Sequence, residues 1–237
     1  MIVFVSPHFD DAIGSCGCLI NKLVTLGESV QILTVFTGEH DGKVSEFAKK
    51  LLDLWKLKNG VIERNIENIK ACNVLGVGYS NLPYIEALYR KLGSWLYPFD
   101  GDLFGHIHYA DFYLPKEISS VISNIYSKDT IFYFPSGRGN HVDHILVKQV
   151  GELLLGNGFR VSFYTDFSYE GLITNDVNVH KVTRYFNVGD LEKKIKAFNE
   201  YKSQLKMLFK VADSREYFTR ENMTEDGVVY EEYYESF

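Results

Sequence analysis

At the start of the chain, hydrophobic residues form a short continuous run, then recur at helical spacing, and then form a second continuous run. Residues 2–5 (IVFV) are apolar and mostly β-branched, which is typical of a strand buried on both faces. Residues 7–11 interrupt this run. A helix is then predicted up to Gly27, a natural C-cap, from apolar residues at helical spacing: Ile13, Cys16, Ile20, Leu23 and Val24. A second apolar strand over residues 29–36 completes a βαβ unit, which implies a parallel sheet with helices on its faces.

The rest of the chain continues to alternate between helical and strand patterns. Helices are predicted over residues 44–55, 61–75, 116–126, 143–155 and 191–209, the last with Asp190 as its N-cap. Strands are predicted over residues 130–134, 160–165 and 228–234, with a short strand or turn over 77–80 and the 228–234 strand at a sheet edge. Residues 95–112 are dense in Gly, Asp, His and aromatic residues and are expected to form a loop. Since no repeat or linker interrupts the pattern, we expect one α/β domain over residues 1–237.

Composition and charge narrow the possible classes of protein. A net charge of −6 argues against a protein that binds nucleic acid by neutralising phosphates. Three cysteines in 237 residues are too few, and odd in number, for a disulfide scaffold. The N-terminal apolar run is too short for a signal peptide, and no stretch approaches the ~18 apolar residues of a membrane span. We therefore expect a cytoplasmic protein without an integral membrane segment.

Two short clusters combine histidine with carboxylates. The first is His-Phe-Asp-Asp at residues 8–11, and the second is His-Val-Asp-His at residues 141–144. Each cluster follows a predicted strand and precedes a predicted helix. Ligands of an open parallel sheet bind in the crevice at the carboxyl ends of its strands. We therefore expect the two clusters to meet at one edge of the sheet.

These residue types can build a catalytic metal site. Two imidazoles and one carboxylate leave one position open for water, which is the arrangement of a catalytic zinc. Zinc lowers the pKa of its bound water to ~7, and a second carboxylate nearby can accept the proton. A remaining histidine could stabilise an oxyanion or protonate a leaving amine. Taken alone, an Asp-Asp pair is more often a helix N-cap, and a His-x-x-His more often surface or core. The position of both clusters after strands favours a site.

The two motifs together resemble a known family of enzymes. Pro-His-x-Asp-Asp at residues 7–11 with His-x-Asp-His at residues 141–144 is similar to the PIG-L/LmbE-like family of zinc-dependent N-acetylglucosamine deacetylases. Residues 64–77, 163–169 and 194–204 also resemble stretches of that family, so the resemblance covers most of the chain. It implies a Rossmann-like three-layer α/β sandwich with a mainly parallel sheet, in agreement with the βαβ pattern.

The resemblance implies a role for each motif residue. The family's three zinc ligands, for which another divalent metal is possible, are matched by His8, Asp11 and His144. Asp10 matches the general base that activates the metal-bound water. His141 matches the histidine that stabilises the oxyanion or protonates the departing amine. Asp143 matches an aspartate that orients a histidine.

Two positions depart from the family's usual Pro-His-Pro-Asp-Asp-Glu motif. Phe9 stands where a proline would fix φ of the ligand loop. Ala12 stands where a glutamate would place a carboxylate at the helix start. Neither position supplies a zinc ligand or the base, so we expect them to alter the tuning of the site rather than its existence.

Four residues are candidates for substrate binding. Arg64 lies where the family often has a substrate-facing arginine, although pairing with Glu67 or Asn68 on the helix surface is an equal alternative. Tyr169 follows a predicted strand and is expected to line the pocket. Some family members have a tyrosine beside the second motif that assists the oxyanion, and this chain offers instead Arg138 and Asn140.

Aromatic side chains near the site are expected to set substrate choice, because aromatic rings stack on the apolar faces of sugars. The candidates are Trp95, Tyr97, Phe99, Phe104, Tyr109, Phe167 and Tyr169. His106 and His108 lie in the same loop and are interpreted as solvent-exposed or substrate-facing rather than as a second metal site.

The sequence therefore predicts removal of the N-acetyl group from an N-acetylglucosamine-containing small molecule, glycan or glycolipid. Two alternatives stay open at this point. One is another metal-dependent hydrolase, such as a phosphoesterase, which would favour a basic pocket. The other is a non-catalytic sugar-binding protein with a vestigial site.

Overall fold

The computed structural model describes residues 1–170, 179–210 and 213–236. The strands within these ranges are β1 (Ile2–Ser6), β2 (Val30–Thr34), β3 (Gly78–Asn81), β4 (Lys91–Leu92), β5 (Ser94–Trp95), β6 (Ile131–Pro135), β7 (Arg160–Tyr164), β8 (Val179–Phe186) and β9 (Val229–Ser236). The helices are α1 (Asp11–Thr25), α2 (Glu46–Trp55), α3 (Gly60–Leu75), α4 (Asp100–Leu103), α5 (Leu114–Ile125), α6 (Val142–Gly156), α7 (Val188–Phe198), α8 (Lys202–Leu208) and α9 (Arg215–Asn222). Short 3-10 turns occur at Ala87–Tyr89, Tyr109–Asp111 and Arg138–Asn140.

Seven strands form one mixed sheet in the order β3-β2-β1-β6-β7-β9-β8. The first five strands in this order run parallel, whereas β9 is antiparallel to both β7 and β8. From β1 the chain moves outward through β2 to β3, and it then returns to place β6 on the other side of β1. The strand order therefore reverses between β1 and β6. Such a reversal opens a crevice at the carboxyl ends of the two strands, where ligands bind in α/β folds.

Helices cover both faces of the sheet, which explains the continuous apolar runs of its central strands. Ile2 and Phe4 of β1 point to one side, into a core shared with α1, α3 and α7. Val3 and Val5 point to the other side, into a core shared with α5 and α6. The predicted α/β sandwich with a mainly parallel sheet is thus confirmed. Across the described residues, no helix combines the length and the apolar composition that a bilayer crossing requires.

The helix predicted over residues 191–209 is wrong in two respects. It begins earlier, because Asn187 is the N-cap and Asp190 is the third helical residue of a reciprocal capping box. It is also interrupted at Tyr201, which leaves the helical region (φ −81°, ψ 62°) and separates α7 from α8. The hydroxyl oxygen of this buried tyrosine lies within hydrogen-bond distance of the Phe9 carbonyl oxygen and of Oδ1 of Asn68, 2.8 Å away in each case. The Tyr201 side chain thus connects the junction between α7 and α8 to the loop that follows β1.

The C-terminal strand also differs from its predicted place. Residues 228–234 are predicted at a sheet edge, but β9 lies between β7 and β8, and β8 is the edge strand. β8 is not predicted because every second residue of Val179–Phe186 is only half buried and the intervening ones are mostly polar. The α9 helix and the β4–β5 hairpin are likewise absent from the sequence prediction. Residues 95–112, predicted as a loop, contain part of that hairpin, α4 and a 3-10 turn.

A buried ion pair links the last strand to the helical layer. Lys194 of α7 and Glu231 of β9 are both almost completely buried, with Nζ 2.9 Å from Oε1. Glu231 also accepts hydrogen bonds from the backbone N–H groups of Cys18 and Leu19 in α1. The Lys194 side chain lies so close to Gly17 that a Cβ atom there would come within 2.5 Å of its Cγ. This pair therefore requires close packing of α1, α7 and β9.

We expect Lys194→Met to lower the free energy of unfolding by about 3–5 kcal/mol, because the Glu231 carboxylate would remain buried without its cation. Urea unfolding followed by circular dichroism measures the change. Lys196→Met, at an exposed position of the same helix, serves as the control and should change stability by less than about 0.5 kcal/mol. Equal stability of the two variants would contradict the structural role of the pair.

Candidate metal centre

The loop after β1 carries the first cluster and is fixed by hydrogen bonds at both ends. The Ser6 hydroxyl donates to the His8 carbonyl and accepts from the Ala12 N–H group, at 3.0 Å in the second case. Phe9 is buried in the core beside α1, and its carbonyl accepts the hydrogen bond from Tyr201. These contacts restrain the loop on both sides of Phe9.

The loop after β6 carries the second cluster and turns sharply into α6. Gly137 adopts a φ of +76°, and a Cβ atom there would come within 2.7 Å of the Ile145 side chain. His141 is the N-cap of α6, since its Nδ1 accepts a hydrogen bond from the Asp143 N–H group at 3.2 Å. The turn places the side chains of residues 141, 143 and 144 below the surface, where all three are buried.

The structure brings His8, Asp11 and His144 together at the crevice between β1 and β6. Oδ2 of Asp11 lies 3.3 Å from Nδ1 of His8 and 3.3 Å from Nε2 of His144. Donor atoms bound at about 2.0–2.1 Å to a tetrahedral zinc are about 3.3–3.4 Å apart, so these spacings suit a shared metal ion. In the described part of the chain, Nε2 of His144 is buried and has no hydrogen-bond partner. The donor set therefore fits a divalent metal.

A second group of possible ligands, formed by His8, His141 and Asp143, lies beside the first. Its oxygen atoms are already engaged. Oδ1 of Asp143 contacts Nη1 of Arg90 at 2.6 Å, and Oδ2 accepts from the Ala87 N–H group at 2.9 Å. Nδ1 of His141 is used in capping α6. In the first group Oδ2 of Asp11 also accepts from the His8 N–H group at 2.7 Å, but this group differs in retaining a buried nitrogen, Nε2 of His144, without a hydrogen-bond partner among the described residues.

Carboxylates hold the outer nitrogen atom of each candidate histidine ligand. Nε2 of His8 lies 3.0 Å from Oδ2 of Asp143, and Nδ1 of His144 lies 2.6 Å from Oδ1 of Asp166. Asp166 is itself fixed, because its other oxygen accepts from the Ser136 hydroxyl at 2.7 Å. Histidine ligands in metalloproteins are commonly oriented in this way. Asp143 thus contacts His8 through its carboxylate, and its backbone N–H group donates to His141.

The charges of the cluster favour a bound cation. Burial lowers the pKa of His144, but Asp11 and Asp166 outweigh it and raise this pKa to about 9. Burial likewise opposes ionisation of Asp11, yet His144 and His8 hold its pKa well below the usual range. The carboxylates therefore draw positive charge to this point, and a divalent metal would supply it in place of the ring protons.

Asp10 lies beside the cluster without joining it. Burial, aided by the neighbouring Asp11 charge, raises the pKa of Asp10 to about 6, while Arg64 acts in the opposite direction. Nη2 of Arg64 is 3.4 Å from Oδ1 of Asp10, and its Nη1 pairs with Glu86 at 3.0 Å. A carboxylate with this pKa is mostly ionised at neutral pH and can take up a proton readily.

His141 faces the same space and is held neutral. Burial lowers the pKa of its imidazole well below the usual range, and the nearby His8 charge lowers it further. Because Nδ1 accepts the backbone hydrogen bond, the proton of the neutral ring lies on Nε2. The ring therefore presents a hydrogen-bond donor.

A cavity of about 130 Å³ opens onto these groups. Its polar lining includes His8, Asp10, Asp11, Arg64, Glu86, Asp100, His141, Tyr169 and Gln204. Its apolar wall consists of Leu51, Trp55, Leu88, Leu103, Phe104, Phe167, Met207 and Leu208. The combination of a reactive polar end and an apolar wall is typical of a small-molecule site.

Two of the four candidate substrate residues line this cavity, and two do not. Arg64 and Tyr169 line this cavity. Arg138 lines an adjoining cavity together with Tyr217 and Arg220, and this cavity shares Phe167, Ser168 and Tyr169 with the first. Asn140 is exposed and adopts a φ of +60°.

Only some of the aromatic candidates line this cavity. Phe104 and Phe167 line the cavity with Tyr169, whereas the hydroxyl of the buried Tyr97 donates to Asp111 at 2.7 Å. Phe99 and Tyr109 are exposed. His108 caps the 3-10 turn at Tyr109–Asp111 and is not in a strand.

Three charged residues hold the site residues in place but were not recognised in this role from the sequence. Glu86 pairs with Arg64, Arg90 holds Asp143, and Asp166 holds His144. Glu86 and Arg90 lie around an isolated 3-10 turn with no motif, so only three-dimensional contact identifies them.

Comparison with known proteins establishes the family. Residues 3–154 match PIG-L, described as GlcNAc-PI de-N-acetylase. The matched stretch runs from β1 into the last turn of α6 and includes both clusters. The chain therefore belongs to the PIG-L family, and the resemblance predicted from the sequence is confirmed.

One curated relative is itself a deacetylase. A 2'-N-acetylparomamine deacetylase from Niallia circulans is 32% identical over 184 residues, which are 70% of this chain and 66% of that protein. The match thus spans just under two thirds of the relative's length.

Solved structures support the fold. A deacetylase in the biosynthesis pathway of teicoplanin has a TM-score of 0.85 at 21% identity, covering 98% of this chain and 96% of its own. The zinc-inhibited form of teicoplanin deacetylase Orf2 has a TM-score of 0.83 at 20% identity, with the same coverage. At these identities the likeness concerns the fold alone.

Proposed function

We propose that this protein is a zinc-dependent hydrolase that removes the N-acetyl group from an N-acetylglucosamine-containing conjugate. One observation carries the proposal: Nδ1 of His8, Oδ2 of Asp11 and Nε2 of His144 are spaced as ligands of one metal, at one end of a cavity that Asp10 also lines. Membership of a de-N-acetylase family and similarity to a deacetylase of an N-acetylated amino compound support it. The sugar conjugate and the cytoplasmic location remain predictions.

In this proposal Nδ1 of His8, Oδ2 of Asp11 and Nε2 of His144 hold the metal. A divalent cation bound there would polarise the acetyl carbonyl and lower the pKa of a water molecule. The carboxylates of Asp143 and Asp166 keep the two rings in the orientation that directs these nitrogen atoms to one point.

Asp10 is the proposed general base. It accepts a proton from the attacking water and passes it to the nitrogen of the amide as the C–N bond breaks. The products are acetate and a free amine. In the metal-free protein, burial and Asp11 raise the pKa of Asp10 to about 6, so that its carboxylate is mostly ionised at pH 7 and can accept a proton.

His141 is proposed to stabilise the negative charge that develops on the acetyl oxygen. Its neutral ring donates from Nε2, and the hydrogen bond from the Asp143 N–H group to Nδ1 fixes that tautomer. A donor held in place by a helix cap loses little entropy when the substrate arrives.

The two alternative functions have weaker support. A phosphoesterase would favour a basic pocket, whereas the guanidinium of Arg64 in the cavity wall is already paired with Asp10 and Glu86. A vestigial sugar-binding protein does not need the pairing of His144 with a buried carboxylate. The intact set of ligand and base residues favours catalysis.

The test compares products of two reactions. Protein stripped with a chelator and reloaded with zinc is given methyl N-acetylglucosaminide or p-nitrophenyl phosphate. We expect equal amounts of acetate and amine, formed only after zinc is restored, and little phosphate. Release of phosphate faster than release of acetate, or formation of acetate by the chelator-treated protein before zinc is restored, would refute the proposal.

We expect Asp166→Ala to weaken zinc binding about 10- to 100-fold, because His144 would lose the partner that orients its ring. Competition with a fluorescent chelator measures the affinity. Glu170→Ala removes an exposed carboxylate four residues further on and provides the control. Unchanged zinc affinity in Asp166→Ala would show that the Asp166–His144 contact does not serve a metal.

A further inference from the structure

The cavity beside His141 is bordered by a short segment that the mechanism does not use. This α4 segment comprises residues 99–104, that is, α4 with the residue on either side. Phe104 lines the cavity although it is 42% exposed. Its ring stands nearly perpendicular to the His141 ring, with centroids 5.4 Å apart, and lies 6.1 Å from the Tyr169 ring. An exposed aromatic ring is thus held directly against the reactive group.

The other end of the α4 segment adds a charge to the same cavity wall. Asp100, the first residue of α4, is exposed and lines the cavity. Among the described residues it has neither an ion pair nor a side-chain hydrogen bond. The other carboxylates of the lining are engaged, because Asp10 and Glu86 contact Arg64 and Asp11 belongs to the ligand group. Asp100 therefore presents a negative charge that the protein does not neutralise.

The positions of these two side chains point to what the cavity admits. A ring such as Phe104 gains contact energy by covering the apolar face of a hexose, while an uncompensated carboxylate attracts an ammonium group. Conjugates that carry phosphate or carboxylate would be repelled by Asp100 and would find Arg64 already paired. A neutral conjugate would gain only from the aromatic contact.

Resting on the proposed deacetylase function, we propose that the α4 segment selects amino-sugar conjugates whose second ring bears a free amine. Phe104 stacks on the hexose beside the scissile amide, and the Asp100 carboxylate pairs with the ammonium of the neighbouring ring. The preferred substrate class is thus a cationic, partly N-acetylated oligosaccharide or pseudo-oligosaccharide.

Three disaccharides that differ in one group test this. N-acetylglucosamine is linked to glucosamine, glucose or glucuronic acid, so that the second ring is positive, neutral or negative. With the zinc-loaded protein, we expect kcat/KM for the positive disaccharide to exceed that for the neutral one about fivefold, the upper range for an exposed ion pair. The negative disaccharide should be the poorest substrate.

Paired variants separate the two contacts. Asp100→Asn should bring the ratio of positive to neutral substrate to about one, whereas Asp53→Asn, which removes an exposed charge on α2, should leave it unchanged. Phe104→Ala should raise KM about tenfold for the neutral disaccharide with kcat retained, because a binding contact is lost equally from ground and transition states. Phe104→Tyr should restore KM, and Phe99→Ala, at an exposed position outside the cavity lining, should not change it.

The outcomes distinguish the substrate class from the activity itself. Acetate release from all three disaccharides at equal efficiency, or a preference that persists in Asp100→Asn, overturns the selection by charge. An unaltered KM in Phe104→Ala overturns the stacking contact. Absence of acetate release from every disaccharide refutes the proposed deacetylase and this inference with it.

Discussion

Asp10→Asn should lower kcat by about 10²–10⁴ while the protein still binds one zinc ion, because the amide cannot accept a proton from water. The substitution keeps the size of the side chain and a possible contact with Arg64, so the loop after β1 should retain its shape. Steady-state acetate release and metal analysis of the same sample measure the two quantities.

The control for this variant is Asp53→Asn, which makes the same chemical change at an exposed position. It should retain full kcat. Wild-type turnover in Asp10→Asn would remove Asp10 from the role of base. Loss of zinc together with activity would indicate that Asp10, and not only Asp11, is a ligand.

His144→Ala should abolish detectable zinc binding at micromolar concentrations and reduce turnover to background. The loss should exceed the ~100-fold that removal of an outer partner can cause, because a direct ligand disappears and Asp11 loses a neighbour 3.3 Å away. Equilibrium dialysis with zinc measures the affinity, and acetate release measures the turnover.

His106→Ala is the matched control, because His106 is an exposed histidine in the segment between α4 and α5. It should bind zinc and turn over substrate as the wild type does. Retention of stoichiometric zinc in His144→Ala would exclude this residue from the ligand set. Loss of zinc in His106→Ala would indicate a metal site elsewhere.

The central part of the fold could be predicted from the sequence because its pattern is strong and local. The apolar runs that become β1 and β2 and the helical spacing between them define the βαβ unit, and the strand-end clusters follow from it. The C-terminal part could not be predicted in the same way. β8 is polar on one face, and the interruption at Tyr201 depends on contacts with Phe9 and Asn68. Such contacts join residues far apart in the chain and leave no periodic signal.

The candidate site shows the same division. Both His/Asp clusters are visible in the sequence, because each combines unusual residue types within four positions. The residues that support them are not visible, since Arg90 and Asp166 are single charged residues whose partners lie 53 and 22 positions away. The placement of Arg138 in an adjoining cavity likewise depends on the turn around Gly137 and Gly139, both with positive φ. Motifs thus predict the reactive groups, and tertiary contacts decide which neighbours orient them.

The most direct test locates the metal by anomalous diffraction at the zinc edge from crystals of zinc-loaded protein. We predict one peak per chain, about 2.0–2.2 Å from Nδ1 of His8, Oδ2 of Asp11 and Nε2 of His144, with Asp10 beside it but not bound. A peak between Nε2 of His8, His141 and Asp143, or no peak in the crevice between β1 and β6, would contradict the proposed centre.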